Sequence, residues 1–241
     1  MDLIICFIDD SDFEHDLMRN EIAPSAPTLH FIQTYTFEEA RDRLGNRIPG
    51  LFLLDLWGQD PEVVSPYITP KDEAEKIAAG FNTLDDVYKG IEDFQGDKTN
   101  EFLKRMFTIV DGWRNMFELV CGRIGQNRKY GLANLGHVRR FYPGVPGVFY
   151  TRKSLISDAV AMIKAGADGL FIKPTGKQDF ETRKLTREKA PELIEEWAGI
   201  IGSRIEHLKD HLEFYGAKTS RSKMHIHKLI SGWKEFINNS K

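Results

Sequence analysis

Four apolar runs of strand length in this sequence each end in a side chain that can do chemistry. Continuous apolar runs are typical of strands that are buried on both faces of a parallel sheet. Ligands of such sheets bind at the carboxyl ends of the strands. We therefore expect the side chains that end these runs to meet at one edge of a sheet. They are Asp9, Asp10, Asp55, Thr151 and Lys173.

The residue types in this set predict phosphoryl transfer. Clustered carboxylates repel one another unless a cation lies between them, and Mg²⁺ suits them because it takes oxygen ligands and keeps several waters. The main-chain carbonyl of Trp57 can add a further ligand. A carboxylate beside Mg²⁺ can attack phosphorus and form an aspartyl phosphate. The charge on the three equatorial oxygens can then be held by Mg²⁺, Lys173 and Thr151, with Asp55 as the acceptor.

The elements that must position these groups alternate between strands and helices. A further strand is predicted over residues 29–34, with a helix capped by Thr36 after it. Ser154 is expected to cap the helix that follows Thr151. Five strands alternating with helices predict an α/β fold with a parallel sheet.

The stretch after Lys173 predicts a loop and then helices. Residues 177–189 are polar and predict a loop. Pro191 is expected at the first turn of a long helix that Gly216 ends, because proline suits that position. A last helix is predicted over residues 222–238.

An insertion interrupts the alternation. Thr151 follows Asp55 by 96 positions, whereas one β-α-β unit needs roughly 30 residues. Apolar residues at helical spacing predict a helical hairpin in the inserted residues. Its apolar side chains either pack within the chain or form a surface for a dimer or a partner. We predict a domain over residues 1–210, interrupted by a 58–127 helical insertion, and a C-terminal helical extension over 211–241.

Composition limits the classes of partner. The net charge of −3 gives no general affinity for polyanions, and we do not expect nucleic acid as a partner. No apolar run approaches the length that spans a bilayer, and we see no signal peptide, so we expect no membrane contact. Two distant cysteines, Cys6 and Cys121, fit a reducing, cytoplasmic compartment.

Four motifs together resemble the response-regulator receiver (CheY-like) domains of two-component signalling. They lie in the order that this family has, over roughly residues 1–57 and 128–210, and the connecting pieces Tyr130-Gly131-Leu132 and Ala165-Gly166-Ala167-Asp168-Gly169 also resemble it. The resemblance implies a flavodoxin-like (CheY-like), doubly wound, five-stranded parallel sheet. The motifs are Ile8-Asp9-Asp10, Leu54-Asp55-Leu56, Phe149-Tyr150-Thr151 and Ile172-Lys173-Pro174.

The resemblance also implies a role for each residue. Asp55 would accept phosphoryl from a histidine kinase or phosphotransfer protein, and Thr151 and Lys173 would bind the phosphoryl group. The Lys173–Pro174 peptide bond would be cis. The magnesium ligands would be Asp9 (through water), Asp10, Asp55 and the Trp57 carbonyl.

Two features depart from the family. Leu170 stands where receivers commonly carry an aromatic residue three positions before the lysine, and Phe171 is next to it. The insertion leaves the phosphorylation strand directly. The first would change how phosphorylation is read out, and the second would cover or extend the site.

The residues leave three functions open. The first is a receiver that is not an enzyme but a phosphoacceptor, with output through contacts with an unknown protein and with a homodimer still open. The second is a phosphorylation-independent pseudo-receiver scaffold. The third is a Mg²⁺-dependent phosphohydrolase. Trp57 argues against this function, because it occupies the position two residues beyond Asp55 where a second acid would be needed.

Overall fold

The computed structural model describes residues 3–60, 62–152 and 156–215, together with residue 231. Seven strands are found in this part of the chain: β1 (Leu3–Ile8), β2 (Leu29–Thr34), β3 (Leu51–Leu54), β4 (Gly58–Gln59), β5 (Gln126–Asn127), β6 (Gly147–Thr151) and β7 (Gly169–Ile172). The same residues form eight α-helices: α1 (Asp12–Leu17), α2 (Phe37–Leu44), α3 (Lys71–Ala78), α4 (Leu84–Tyr88), α5 (Lys98–Arg123), α6 (Lys129–Phe141), α7 (Ile156–Lys164) and α8 (Asp179–Tyr215). A π-helix (Met18–Ile22) and a 3₁₀ turn (Ala23–Ser25) follow α1 directly.

The main sheet has five parallel strands in the order β2-β1-β3-β6-β7. Numbered along this sheet alone, the order is 2-1-3-4-5, which is the flavodoxin-like order of the doubly wound fold. The predicted fold class is therefore confirmed. The three inner strands are buried along their whole length, whereas the edge strands β2 and β7 are partly exposed.

The two faces of the sheet are covered by different helices, because successive side chains of a strand point to opposite faces. On one face, the odd-numbered residues of β1 pack with the π-helix and α8, and Trp197 is fully buried among them. On the other face, Phe37 of α2 and Tyr142 after α6 pack their rings against Phe52 of β3.

Helix α8 differs from its prediction at its N-terminus. It begins at Asp179 rather than at Pro191, so the predicted loop over residues 177–189 is wrong. Thr182 and Thr186 are buried at a four-residue spacing, and Arg187 forms a 2.7 Å ion pair with Glu21 of the π-helix. These tertiary contacts stabilise the polar stretch as helix, and Pro191 lies within it despite the backbone hydrogen bond that it lacks.

The described residues of 59–127 form a compact unit of their own, and those of 3–58 and 128–215 form another. The inserted unit holds three helices rather than the predicted hairpin. Asp97 caps α5, accepting from the Asn100 amide at 3.0 Å. Arg105 of α5 donates to the carbonyls at the end of α4, including that of Lys89 at 2.7 Å. Ile109 and Cys121 of α5 are buried, whereas five large apolar residues of this helix are exposed: Leu103, Phe107, Val110, Trp113 and Leu119.

Some predictions fall outside the described residues. They are the Ser154 cap, the Gly216 helix end and the last helix over 222–238, together with most of the 211–241 extension. Among the helices that are described, none is both long enough and apolar enough to cross a membrane.

Candidate functional site

The register of the sheet places the predicted site residues at one edge. Ile8 pairs with Leu54, so Asp9 and Asp55 leave neighbouring strands side by side. The Asp55 amide donates to the Ile8 carbonyl at 2.9 Å, which holds the two strand ends together. Across β6 and β7, the Lys173 amide donates to the Thr151 carbonyl at 3.0 Å. Four segments that are distant in sequence thus deliver their side chains to the same place.

Three carboxylates form the floor of this site. Asp9, Asp10 and Asp55 each offer an oxygen, and these oxygens all lie within 4.8 Å of one another. Asp9 is fully buried and Asp55 is 8% exposed. Such a cluster is a candidate site for a divalent cation, since hard oxygen ligands suit these ions.

The Lys173 ammonium forms ion pairs with two carboxylates of this cluster. Its ammonium lies 2.5 Å from Asp9 Oδ2 and 3.3 Å from Asp55 Oδ1. Its side chain is 2% exposed, and its nitrogen lies 5.8 Å from the centre of the Phe7 ring and 5.7 Å from that of Tyr150. A buried ammonium between two buried carboxylates balances part of their charge.

The pKa values reflect burial and crowding. Burial raises the pKa of Asp9 to about 7, against the opposing attraction of Lys173 and with a further rise from the Asp55 charge. Burial also raises the pKa of Asp55, while Lys173 and the nearby Thr151 hydroxyl act to lower it. Burial would lower the pKa of Lys173, but the surrounding carboxylates outweigh that effect and raise it. The ammonium is therefore charged at neutral pH, and Asp9 and Asp55 hold protons more readily than exposed carboxylates do.

Two polar atoms in the site lack a hydrogen-bond partner within the described structure. Asp55 Oδ1 and Thr151 Oγ1 are both buried without one. The Lys173 ammonium forms an ion pair with Asp55 Oδ1 at 3.3 Å, and the Thr151 hydroxyl is near enough to lower the Asp55 pKa. Neither Asp55 Oδ1 nor Thr151 Oγ1 makes a hydrogen bond of good geometry. Both atoms therefore retain capacity to bind a group that enters between them.

The donor set suits a small divalent cation such as Mg²⁺. Oxygen ligands at about 2.1 Å from an octahedral ion lie about 3.0 Å apart when cis and about 4.2 Å apart when trans. The three carboxylate oxygens lie within 4.8 Å of one another, so they would draw closer together around a bound ion. Asp9, Asp10 and Asp55 would hold the ion. Trp57 is 3% exposed and two residues beyond Asp55, and its carbonyl as a further ligand stays a prediction.

The Lys173–Pro174 bond differs from its prediction. No peptide bond among the described residues is cis, so the predicted cis bond is wrong. The trans form is the lower in energy by about 0.5–1 kcal/mol unless a tight turn requires cis. Here the chain continues without such a turn, and Arg152 donates to the Pro174 carbonyl at 3.0 Å. At the position of the expected aromatic residue, Leu170 is half-buried, and Phe171 packs edge-on against Trp197.

Two functional residues were missed by sequence reasoning. Glu14 is buried at 8% exposure, and its carboxylate lies 3.6 Å from the Lys173 ammonium. Arg152 forms a 2.5 Å ion pair with Glu14. Glu14 lies one helical turn beyond Asp10, and this spacing is a signal that could have found it. Arg152 directly follows Thr151, but the direction of so long a side chain is not encoded locally.

A glycine allows α6 to approach the strand that ends at Asp55. The Gly131 amide donates to the Leu56 carbonyl at 3.0 Å. A Cβ atom at this position would lie 2.6 Å from the Leu56 Cα and still closer to the Asp55 carbonyl oxygen. The absence of a side chain thus lets the first turn of α6 pack directly on the backbone that carries Asp55.

Comparison with known proteins yields solved receiver structures. A receiver domain protein (CheY-like) from Methanospirillum hungatei JF-1 is 14% identical, with 81% of this chain and 99% of that chain covered and a TM-score of 0.37. The signal receiver domain of a putative Luxo repressor protein from Vibrio parahaemolyticus is 13% identical, with 88% and 98% covered and a TM-score of 0.45. The receiver domain of NtrX from Brucella abortus is 19% identical, with 78% and 98% covered and a TM-score of 0.36.

The strand order and register described above decide the fold. The chain has the flavodoxin-like (CheY-like) fold. No family model matches the sequence, and no curated protein matches it.

Proposed function

We propose that the chain is a response-regulator receiver of two-component signalling that accepts a phosphoryl group on Asp55 with Mg²⁺. The observation that carries the proposal is the convergence of two buried atoms without a hydrogen bond, Asp55 Oδ1 and Thr151 Oγ1, with the Lys173 ammonium and the carboxylate cluster. A nucleophile, a hydroxyl donor, a fixed cation and a metal site are then present within one site.

In the proposed reaction, an Asp55 oxygen attacks the phosphorus of the donor. The new phosphorus–oxygen bond forms as the bond to the leaving group breaks, and the leaving group departs with that electron pair. The Thr151 hydroxyl donates to one phosphoryl oxygen, which gives it the partner that it lacks. Lys173 turns from Asp9 toward a second oxygen. Bound Mg²⁺ supplies positive charge that offsets the carboxylates and the transferring group.

The donor and the output partner follow from the same proposal. A histidine kinase or a phosphotransfer protein supplies the phosphoryl group, and the phosphorylated chain acts through contacts with another protein. The chain is a phosphoacceptor rather than an enzyme with steady turnover. Trp57 supports this view, because a buried indole stands two residues after Asp55, where an acid–base carboxylate would serve a phosphohydrolase.

Incubation with acetyl phosphate and Mg²⁺, followed by intact mass measurement, tests the proposal. We expect a gain of one phosphoryl group in the wild type and none in Asp55→Asn or in the presence of EDTA. Asp42→Asn is the matched control, because Asp42 is exposed on α2. No gain in the wild type, or an equal gain in Asp55→Asn, would refute phosphorylation of Asp55. Mg²⁺ binding without any mass gain would favour the phosphorylation-independent scaffold.

A further inference from the structure

A second cleft lies along the open edge of β2, on the outer side of the sheet. Its volume is about 480 Å³, within the range of roughly 300–1,000 Å³ that small-molecule sites occupy. The helical segment after β1, strand β2 and α2 each contribute to its walls. The lining residues with polar or aromatic groups are His15, Arg19, His30, Gln33, Tyr35, Arg43 and Arg47, and Phe31 and Ile32 complete the lining.

Three guanidinium groups give this cleft its charge. Arg19 comes from the π-helix, and Arg43 and Arg47 come from the end of α2. Within the described residues, one acidic side chain pairs with them: Glu39 lies 2.5 Å from Arg43. Arg19 is exposed and forms no hydrogen bond or ion pair in this part of the chain. The cleft therefore retains an excess of positive charge that protein carboxylates do not neutralise.

Hydrogen bonds to the backbone hold two of these guanidinium groups in place. Arg43 donates to the Gln33 carbonyl of β2 at 3.0 Å. Arg47 donates to the Leu44 carbonyl at 3.3 Å and to the Arg43 carbonyl at 2.5 Å, both at the C-terminus of α2. A guanidinium that is already fixed loses less conformational entropy when it binds a ligand. The charge is thus presented by side chains with defined positions.

The inner wall of the cleft is buried and ordered. His15 is 4% exposed, and its Nε2 donates to the Asp9 carbonyl at 2.9 Å. Its Nδ1 lies 3.2 Å from the side-chain amide of Gln33. The Tyr35 ring stands edge-on to the imidazole, with 4.6 Å between ring centres, and its hydroxyl donates to Asp12 at 2.5 Å. This wall combines polar groups with an aromatic surface that is partly exposed.

We propose that the cleft between the π-helix, β2 and α2 is a binding site for a small phosphate-bearing anion. Guanidinium groups match phosphate oxygens with paired N–H donors, and three of them suit a ligand with more than one phosphate group. An open cleft of about 480 Å³ fits a molecule of nucleotide size. The Tyr35 ring, 43% exposed, offers a surface for an organic part. This site is separate from Asp55 and does not depend on its phosphorylation.

Isothermal titration calorimetry on the full chain tests the proposal, with EDTA present so that the carboxylate cluster binds no metal. Inorganic pyrophosphate and ATP are the two probes. We expect saturable binding with one site per chain. Arg19→Gln is the principal variant, since Arg19 has no structural contact to lose. We expect it to weaken binding about tenfold, the value of one charge-assisted hydrogen bond.

The controls separate this site from general charge effects. Arg140→Gln removes the same charge from an exposed position on α6, outside the cleft, and should leave affinity unchanged. Asp55→Asn should also leave it unchanged, so failure of the phosphorylation proposal would not affect this one. Chemical-shift changes of the His15 and His30 imidazole resonances should accompany binding.

The two probes show which part of the ligand the cleft recognises. Equal affinity for pyrophosphate and ATP assigns recognition to the phosphates alone, and tighter binding of ATP adds a contact from the aromatic wall. Either result supports the proposal. No saturable heat from either probe would overturn it. An equal loss of affinity in Arg19→Gln and Arg140→Gln would also overturn it, because binding would then follow net charge rather than the cleft.

Discussion

Replacement of Lys173 by Met should show how much the stability of the fold depends on the ion pairs between the Lys173 ammonium and the buried carboxylates. Methionine keeps most of the packing of the side chain between the Phe7 and Tyr150 rings but removes the charge. The ammonium lies 2.5, 3.3 and 3.6 Å from oxygens of Asp9, Asp55 and Glu14. At an effective dielectric constant of about 20, these distances correspond to attractions of about 7, 5 and 5 kcal/mol.

The net loss of stability is smaller than the sum of these attractions, because burial of the ammonium has its own cost. Removal of one partner of a buried ion pair destabilises proteins by about 3–5 kcal/mol, and we expect a loss in this range at alkaline pH. Lys173 lowers the pKa of Asp9 and of Asp55 in the wild type, so both values rise further in the variant.

The sign of the pH dependence follows from these shifts. A carboxylate whose pKa is higher in the folded state than in the unfolded state binds protons preferentially to the folded state, so stability falls as pH rises. In the wild type, the fall in stability that comes from Asp9 is complete once the pH exceeds its pKa of about 7. In the variant, the pKa values of Asp9 and Asp55 are higher, so stability continues to fall at higher pH. The deficit of Lys173→Met should therefore be small near pH 5 and largest near pH 9, and added Mg²⁺ should reduce it.

Hydrogen exchange of the β1 and β3 amides provides the measurement, because it reports the free energy of unfolding of the sheet even if residues 59–127 unfold separately. Lys164→Met, an exposed lysine on α7, is the matched control and should change stability by less than about 0.5 kcal/mol. A deficit below about 1 kcal/mol at pH 9, or a deficit that does not vary with pH, would refute the reasoning.

Two further predictions concern the same edge of the sheet. Gly131→Ala should destabilise the chain by about 1–3 kcal/mol and slow phosphoryl acceptance, because the added Cβ would meet the backbone of Leu56. Gly136→Ala on the same helix is the control. The space around Gly136 is open, so this substitution should stabilise the chain by up to about 1 kcal/mol in urea unfolding. Mg²⁺ affinity measured by calorimetry should fall by up to about tenfold per pH unit below pH 7, because Asp9, with its pKa raised to about 7, must lose its proton. Equal effects of the two glycine variants would contradict the first prediction, and a flat pH profile in the wild type would contradict the second.

Much of the fold could be predicted from local pattern. Strands β1, β3 and β6 are continuous apolar runs because both faces of each strand are buried, and such a run is visible without knowledge of its neighbours. Parallel strands place their carboxyl ends at one edge, so the nearness of Asp9, Asp55, Thr151 and Lys173 follows from topology once the strands are recognised. The insertion was visible from the excess length between two strands.

The remaining features depend on contacts between segments that are far apart in sequence. Residues 179–190 carry no apolar stripe, yet they are helical because Arg187 forms an ion pair with Glu21 and two threonines of the stretch are buried. Arg152 likewise contacts residues more than twenty positions away in sequence. It donates a hydrogen bond to the Pro174 carbonyl and forms an ion pair with Glu14.

The sequence by itself determined which residues become strands and which reactive groups end them, because alternation and burial are properties of a short segment. Tertiary structure alone decided the partners of Lys173, the approach of Gly131 to the Asp55 strand and the cationic cleft beside β2. Each of these depends on where long side chains and helix ends meet in space. Such meetings are set by the packing of the whole domain, and no local pattern records them.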